Sequence, residues 1–182
     1  MATTTKLFTY EEMLDMPAAR DVIEEVIDGE IRTMPPTKEP HPEIVENLAH
    51  LLQRKLDWNT VRVRTSNFGL VIRIDPVTCR VPDLAVFVRA NMVVKDGYVH
   101  SPPELVVEVR SPGNSRRDVA RLMRDYESLG VPEVWLLSPK PRAIEVLQLE
   151  DGKLQSIGVR NTGEIAPKLF PQAVINIEAI WP

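Results

Sequence analysis

The segment from Glu104 to Ser138 constrains the fold more than any other part of this chain. "ELVVEVRSPG" (104–113) opens on branched apolar residues that read as a buried strand, and "EVWLLS" (133–138) reads as another. Between them, from about Asn114 to Leu129, Val119, Leu122, Met123, Tyr126 and Leu129 gather on one side of a helix turning about 100° per residue. Gly130 stands where such a helix stops. Strand, amphipathic helix and strand predict a β–α–β crossover between 104–109 and 133–138, within a mixed α/β sheet.

The flanking segments fit such a sheet. "TYEEMLDMP" (9–17) predicts a short helix, with Thr9 as cap, Glu12 three residues on and Pro17 as its end. "VIEEVIDGEIRTM" (22–34) has two apolar-rich arms around Asp28-Gly29, a two-residue hairpin signal. Ile44, Leu48, Leu51, Leu52 and Leu56 recur at helical spacing and predict one long helix over 41–57. "TVRVRTS" (60–66) alternates as a strand with one wet face, and "GLVIRI" (69–74) is expected as its hairpin partner or close neighbour. "DLAVFV" (83–88) begins just after Pro82, and "AIEVLQL" (143–149) runs to the turn "EDGK". The tail from Gly158 reads as short strands and loops.

Length and composition set the class. A chain of 182 residues, 43% of them hydrophobic, is expected as one domain over 1–182, with a short N-terminal tail at 1–7. The sole cysteine, Cys79, excludes an internal disulfide and a four-cysteine zinc site. With no charged-then-apolar leader pattern, this predicts a reducing, cytoplasmic location. Apolar runs fall well short of the roughly 20 residues of a membrane span, so no membrane association is expected. A net charge of −4 does not favour non-specific binding to nucleic acid. Yet between Arg54 and Arg89 the bases Arg54, Lys55, Arg62, Arg64, Arg73, Arg80 and Arg89 face only Asp57, Asp75 and Asp83. That stretch is either a basic surface for phosphates or ordinary solvated charge on edge strands.

Carboxylates on strands carry the chemistry. Alternation points Glu104, Val106, Glu108 and Arg110 to one face and Leu105, Val107 and Val109 to the other. Glu108 lies near the strand's C-terminal end, beside Pro112 and Gly113, an edge where ligands bind in open α/β sheets. Asp83 opens the strand of "VPDLAVF". Carboxylates in buried strands are costly unless paired or bound to a cation. Two of them projecting to one side suit Mg²⁺ or Mn²⁺. The alternative is that Glu108 pairs with an arginine and Asp83 caps a turn. No G-x-x-x-x-G-K, G-x-G-x-x-G, H-E-x-x-H or G-x-S-x-G occurs. A two-carboxylate glycosidase is disfavoured, because only 5% of residues are aromatic and sugar platforms are lacking.

"VPDLAVF" followed by "PPELVVEVRSPGNSRRDVARLMRDYESLGVPEVWLL", with "EEVIDGEIRTMPPTKEPHPEIVENLAHLL" upstream, resembles the putative restriction endonuclease family long catalogued as a domain of unknown function. That family belongs to the PD-(D/E)XK nuclease superfamily, and the resemblance spans about residues 8 to 181. It implies a restriction-endonuclease-like central mixed sheet flanked by helices, and a metal-dependent endonuclease acting on DNA, and it suggests a homodimer. Asp83 matches the aspartate of P-D and Glu108 the acid of E-x-K. Glu25 resembles an additional acidic residue on an early element, and His41 a histidine at the start of the long helix. The resemblance thus implies Asp83 and Glu108 as metal ligands, with Glu25 assisting.

The sequence departs from the family at the third catalytic group. The superfamily's lysine would follow Glu108 by two positions, where Arg110 stands, on the same strand face. In this family the lysine usually moves to the next helix, four residues after the aspartate matched by Asp118, and that position is Leu122. An arginine can stabilise charge on phosphate but is effectively never a base. Arg110 is therefore the expected cationic member. Arg121 lies about 100° around the helix from Leu122 and is a poorer substitute, grouped with Arg117 and Arg124 in a solvated stripe. The competing expectation is a nuclease-fold protein that binds nucleic acid or protein without catalysis. His50 and His100 read as structural or exposed, and Trp135 as core.

Overall fold

The computed structural model describes residues 7–16, 23–34, 37–66, 68–111, 113 and 115–182. Pro17, Val22, Pro112 and Asn114, which the sequence singles out, lie outside the described residues. Helix α1 (Tyr10–Leu14) leads to the hairpin β1 (Ile23–Ile27) and β2 (Glu30–Met34), then to α2 (His41–Gln53). Next come β3 (Val61–Thr65), β4 (Leu70–Ile74), β5 (Val77–Arg80), β6 (Leu84–Val88), the two-residue strands β7 (Val94–Lys95) and β8 (Tyr98–Val99), and β9 (Leu105–Val109). Helix α3 (Arg116–Leu129) is followed by β10 (Glu133–Ser138), β11 (Ala143–Glu150), β12 (Lys153–Arg160) and the short pair β13 (Glu164–Ile165) and β14 (Ile175–Asn176).

The expected crossover stands at the centre. β9 and β10 are parallel, with Val106 beside Val134 and Glu108 beside Leu136, and α3 connects them. They form the middle of a mixed sheet ordered β12-β11-β10-β9-β6-β3. A second six-stranded sheet, β2-β1-β5-β4-β8-β7, packs with it, and β13 and β14 pair as a separate two-stranded sheet. The central sheet is covered on both faces. Leu105, Val107 and Val109 pack with Ile44, Leu48 and Leu52 of α2 and with Trp181 near the C-terminus. Val106, Ala85 and Phe87 pack on the other side with Met123 and Tyr126 of α3 and with Leu70 and Ile72 of β4. Trp135 is fully buried in the first of these cores, as its sequence context suggests.

Local signals hold where a side chain enforces them. Thr9 and Glu12 form a capping box on α1, and Ser115 and Asp118 form another on α3. Gly130 ends α3 in the left-handed conformation. Asp28 and Gly29 have φ of 53° and 78°, as a type I′ hairpin turn requires. A Cβ on Gly29 would also lie 2.8 Å from Leu7 Cβ.

Two expectations are corrected. Helix α2 ends at Gln53 rather than at 57: the Lys55 N–H donates to Leu52 O at 3.0 Å, a tightened final turn, and the Asp57 carboxylate accepts the Asn59 N–H at 2.9 Å in a separate turn beyond it. Strands β3 and β4 are not partners: β3 pairs with β6 and β4 with β5. The turn at Asp75-Pro76 folds β4 back onto β5, while Ser66 N–H donates to Asp83 O at 3.1 Å and holds β3 on β6.

A buried ionic clasp joins the second sheet to α3. Arg80, at the end of β5, donates through Nη1 to Glu25 Oε2 (2.9 Å) and through Nε and Nη2 to Asp125 Oδ2 (3.0 and 2.5 Å). Arg80, Glu25 and Asp125 are all buried. Removing one member leaves an uncompensated charge in the interior. Asp125→Ala is expected to lower the unfolding free energy by about 3 kcal/mol, read by urea denaturation. A loss below about 1 kcal/mol would mean that Arg80 does not depend on it.

Candidate active site

The site forms where β6 begins and β9 ends, beside the N-terminus of α2. These strands are antiparallel, with Leu84 opposite Val107 and Ala85 opposite Val106. One further step in that register sets Asp83 opposite Glu108. Like charges placed directly across a strand pair oppose each other, and the surrounding groups respond to that. Asp83 Oδ2 accepts the Val109 N–H at 2.8 Å and lies 3.2 Å from His41 Nε2. The Tyr126 hydroxyl on α3 donates to Glu108 Oε1.

Electrostatics follows from this geometry. Burial, and then the Asp83 carboxylate, push the Glu108 carboxyl well above its usual range, with the Tyr126 hydrogen bond opposing. Tyr126 is itself raised well above its ordinary value, by burial and then by the charge of Glu108. For His41 burial favours the neutral ring, but the hydrogen bond and charge of Asp83 outweigh it and the net shift is upward. His41 thus has a place in the site, as a buried partner of Asp83 at the first turn of α2.

Asp83 and Glu108 line a cavity of about 290 Å³, together with Glu25, Arg80, Arg110 and Leu122. Both Glu25 oxygens are engaged: Oε2 by Arg80 and Oε1 by the Val81 N–H at 3.0 Å. Arg110 lies just past the end of β9, has a side chain 44% exposed, and pairs with Glu145 Oε2 at 3.5 Å. Arg121 is not part of a free stripe. It pairs with Asp28, as does Arg73, and Arg73 also reaches Asp125 Oδ1 at 3.3 Å. Burial pushes the Asp28 carboxyl up, but Arg73 and Arg121 more than offset this and hold it below the usual range. Leu122, where the family's lysine is expected, presents an apolar side chain to the cavity.

Arg80, Asp125 and Tyr126 were not legible as members of the site. Tyr126 belongs to the apolar face of α3, and only its hydroxyl betrays a polar role. The signal for Arg80 is positional. Val26 pairs with Cys79, so Glu25 and Arg80 are the next cross-strand pair once β5 is recognised.

The donor set decides which ion could fit. Among the described residues, no group of three His, Cys, Asp or Glu side chains converges to hold a metal. Two opposed carboxylates in a cavity with room for water do suit Mg²⁺, which is commonly held by one or two carboxylates and keeps several waters. They do not suit zinc, which calls for three or four protein ligands. Restriction-endonuclease-like families usually require a divalent metal.

Comparison with known proteins places this architecture. The crystal structure of a putative nuclease belonging to DUF820 from Anabaena variabilis superposes with a TM-score of 0.77 at 17% identity, covering 96% of this chain and 97% of that one. At that identity the likeness establishes the fold, a single mixed α/β domain of the restriction-endonuclease-like kind. Among curated proteins none matches the chain. Among the described residues no helix is long and apolar enough to cross a membrane. The family model Uma2, described as "Putative restriction endonuclease", matches residues 10–178, and the chain belongs to that family.

Proposed function

We propose that this protein is a metal-dependent endonuclease that hydrolyses phosphodiester bonds in DNA. The observation that carries the reading is the opposition of Asp83 and Glu108 at the wall of a cavity of about 290 Å³. Asp83 and Glu108 would hold Mg²⁺ or Mn²⁺. A bound divalent ion supplies Lewis acidity toward the scissile phosphate and the attacking water. The Val109 N–H and His41 fix Asp83, while Tyr126 orients Glu108. Burial and the Asp83 charge favour the protonated form of Glu108, so a cation held there would favour proton release. Glu25 supports the site through Arg80, which holds a buried positive charge near Glu108. Arg110, with its exposed guanidinium held by one ion pair, serves the charge that develops on the phosphate. A homodimer and a cytoplasmic location complete the proposal.

A second reading is favoured by Leu122. With an apolar side chain where the lysine should stand, the fold would serve as a module that binds nucleic acid or protein. Plasmid nicking separates the two. With Mg²⁺ or Mn²⁺, the wild type is expected to nick supercoiled DNA, while Asp83→Ala and chelated protein do not. Absence of nicking by the wild type, or equal nicking by Asp83→Ala, favours the binding module. Leu122→Lys is expected to increase the nicking rate by roughly 100-fold, the low end of what a positioned proton-transfer group contributes. An unchanged rate in a variant that folds as the wild type does would mean that nothing is missing at that position.

A further inference from the structure

The guanidiniums around the acid pair are committed to carboxylates: Arg80 to Glu25 and Asp125, Arg110 to Glu145, and Arg121 and Arg73 to Asp28. Among the cations that lie elsewhere, one group stands out at the β3 edge. Arg54, Lys55, Arg62, Arg64 and Arg89 enter no ion pair among the described residues. They cluster at one edge of the central sheet. Arg54 and Lys55 follow the last turn of α2, Arg62 and Arg64 lie on β3, and the Arg89 N–H donates to Thr60 O at 2.8 Å. The acid among them, Asp57, directs its carboxylate to Asn59 and Thr60.

β3 is an edge strand, and alternation decides what it presents. Val61 and Val63 enter the core. Arg62 and Arg64 therefore project to the opposite face, the face of Ala85 and Phe87 and hence of Asp83 and Glu108. Ser66, two residues beyond Arg64, donates to the backbone oxygen of Asp83. Arg64 and Arg62 thus mark a line leading away from the acid pair, with Arg62 about 13 Å along the strand from Ser66.

At the far end of that line stands Trp58. Trp58 is 60% exposed, whereas Trp135 and Trp181 are 0% and 8% exposed. The Arg62 guanidinium lies 3.7 Å from the indole centroid and also donates to Trp58 O. The ring is pinned from one side and left open to water. An ordered, exposed indole among unneutralised cations suits a ligand with flat aromatic faces and repeated negative charge.

We propose that the β3 edge binds an unpaired segment of nucleic acid, with one base stacked on Trp58 and its phosphates along Arg62 and Arg64. The choice of nucleic acid as ligand rests on the nuclease reading and deepens it: the substrate presents a single-stranded stretch next to the cleaved phosphate. A duplex offers phosphates to the arginines but no free base face to the indole.

The test uses Trp58 as its own reporter, in EDTA so that nothing is cleaved. Titration of the full-length protein with a dT oligonucleotide of about 12 nucleotides is expected to quench tryptophan emission to saturation. Trp58→Leu should remove the quench and weaken binding of a labelled oligonucleotide by about tenfold, while Trp58→Phe restores part of it. Arg62→Gln and Arg64→Gln should each reduce the slope of log K against log salt by roughly 0.7. Equal thermal unfolding of the variants and the wild type establishes that folding is intact. The proposal is overturned if the oligonucleotide produces no quench, if Trp58→Leu binds as tightly as the wild type, or if a duplex of equal length quenches equally. Quenching without nicking would remove the nuclease reading alone, and nicking without quenching would remove this one alone.

Discussion

The structure turns on two carboxylates that register forces together. With Leu84 opposite Val107, the chain has no freedom to place Asp83 anywhere but across from Glu108. Left alone, such a pair would weaken the strand ends it occupies. It persists because both strands are buried on both faces, by α2 on one side and by α3 and β4 on the other. The sheet core stabilises what the acid pair destabilises. Val109, His41 and Tyr126 then define where each carboxylate points. A site of this kind stores electrostatic free energy that a bound cation would release, which is how the proposed function would draw on the fold.

Around that pair the positive charge is divided into two populations. Arg73, Arg80 and Arg121 are structural: they tie α3 to the second sheet through Asp28, Glu25 and Asp125. Buried pairs of this sort give little net stability against an apolar alternative, but they are costly to break. Their effect here is to fix the helix that carries Tyr126 and Leu122. The cations of the β3 edge enter no ion pair among the described residues, and all but the half-buried Arg62 are exposed. An acidic chain with a net charge of −4 can therefore still offer a polyanion one favourable surface.

Much of this was legible because local physics dictated it. The crossover followed from two apolar runs around an amphipathic helix, and β10 occupies the residues its valine-tryptophan-leucine run marked. The Asp28-Gly29 turn and the capping residues are enforced by single side chains. What escaped was partner choice. Nothing local in "TVRVRTS" and "GLVIRI" says that they belong to different sheets, since β3 is held by Asp83 and β4 by the fold-back at Asp75-Pro76. β5 has four residues, two of them polar, and β12 is exposed along nearly its whole length, so neither shows a burial rhythm. Arg80 was invisible for the same reason: its meaning depends on pairing with Glu25 and on α3 bringing Asp125 to it. Glu108 could be singled out, but its partner Tyr126 hid among apolar neighbours.

The linkage between proton and cation gives the most direct examination. Glu108 is raised in the folded chain, so its contribution to stability is present at low pH and is lost as pH rises from the unfolded-state value through the folded-state value. Carbon-13 NMR of the Glu108 carboxyl, followed against pH in the wild type and in Asp83→Asn, reads this directly. The account predicts a titration above the ordinary carboxyl range, moved downward by Asp83→Asn and moved downward in the wild type by added Mg²⁺. An ordinary Glu108 titration that neither the substitution nor the cation displaces would contradict it.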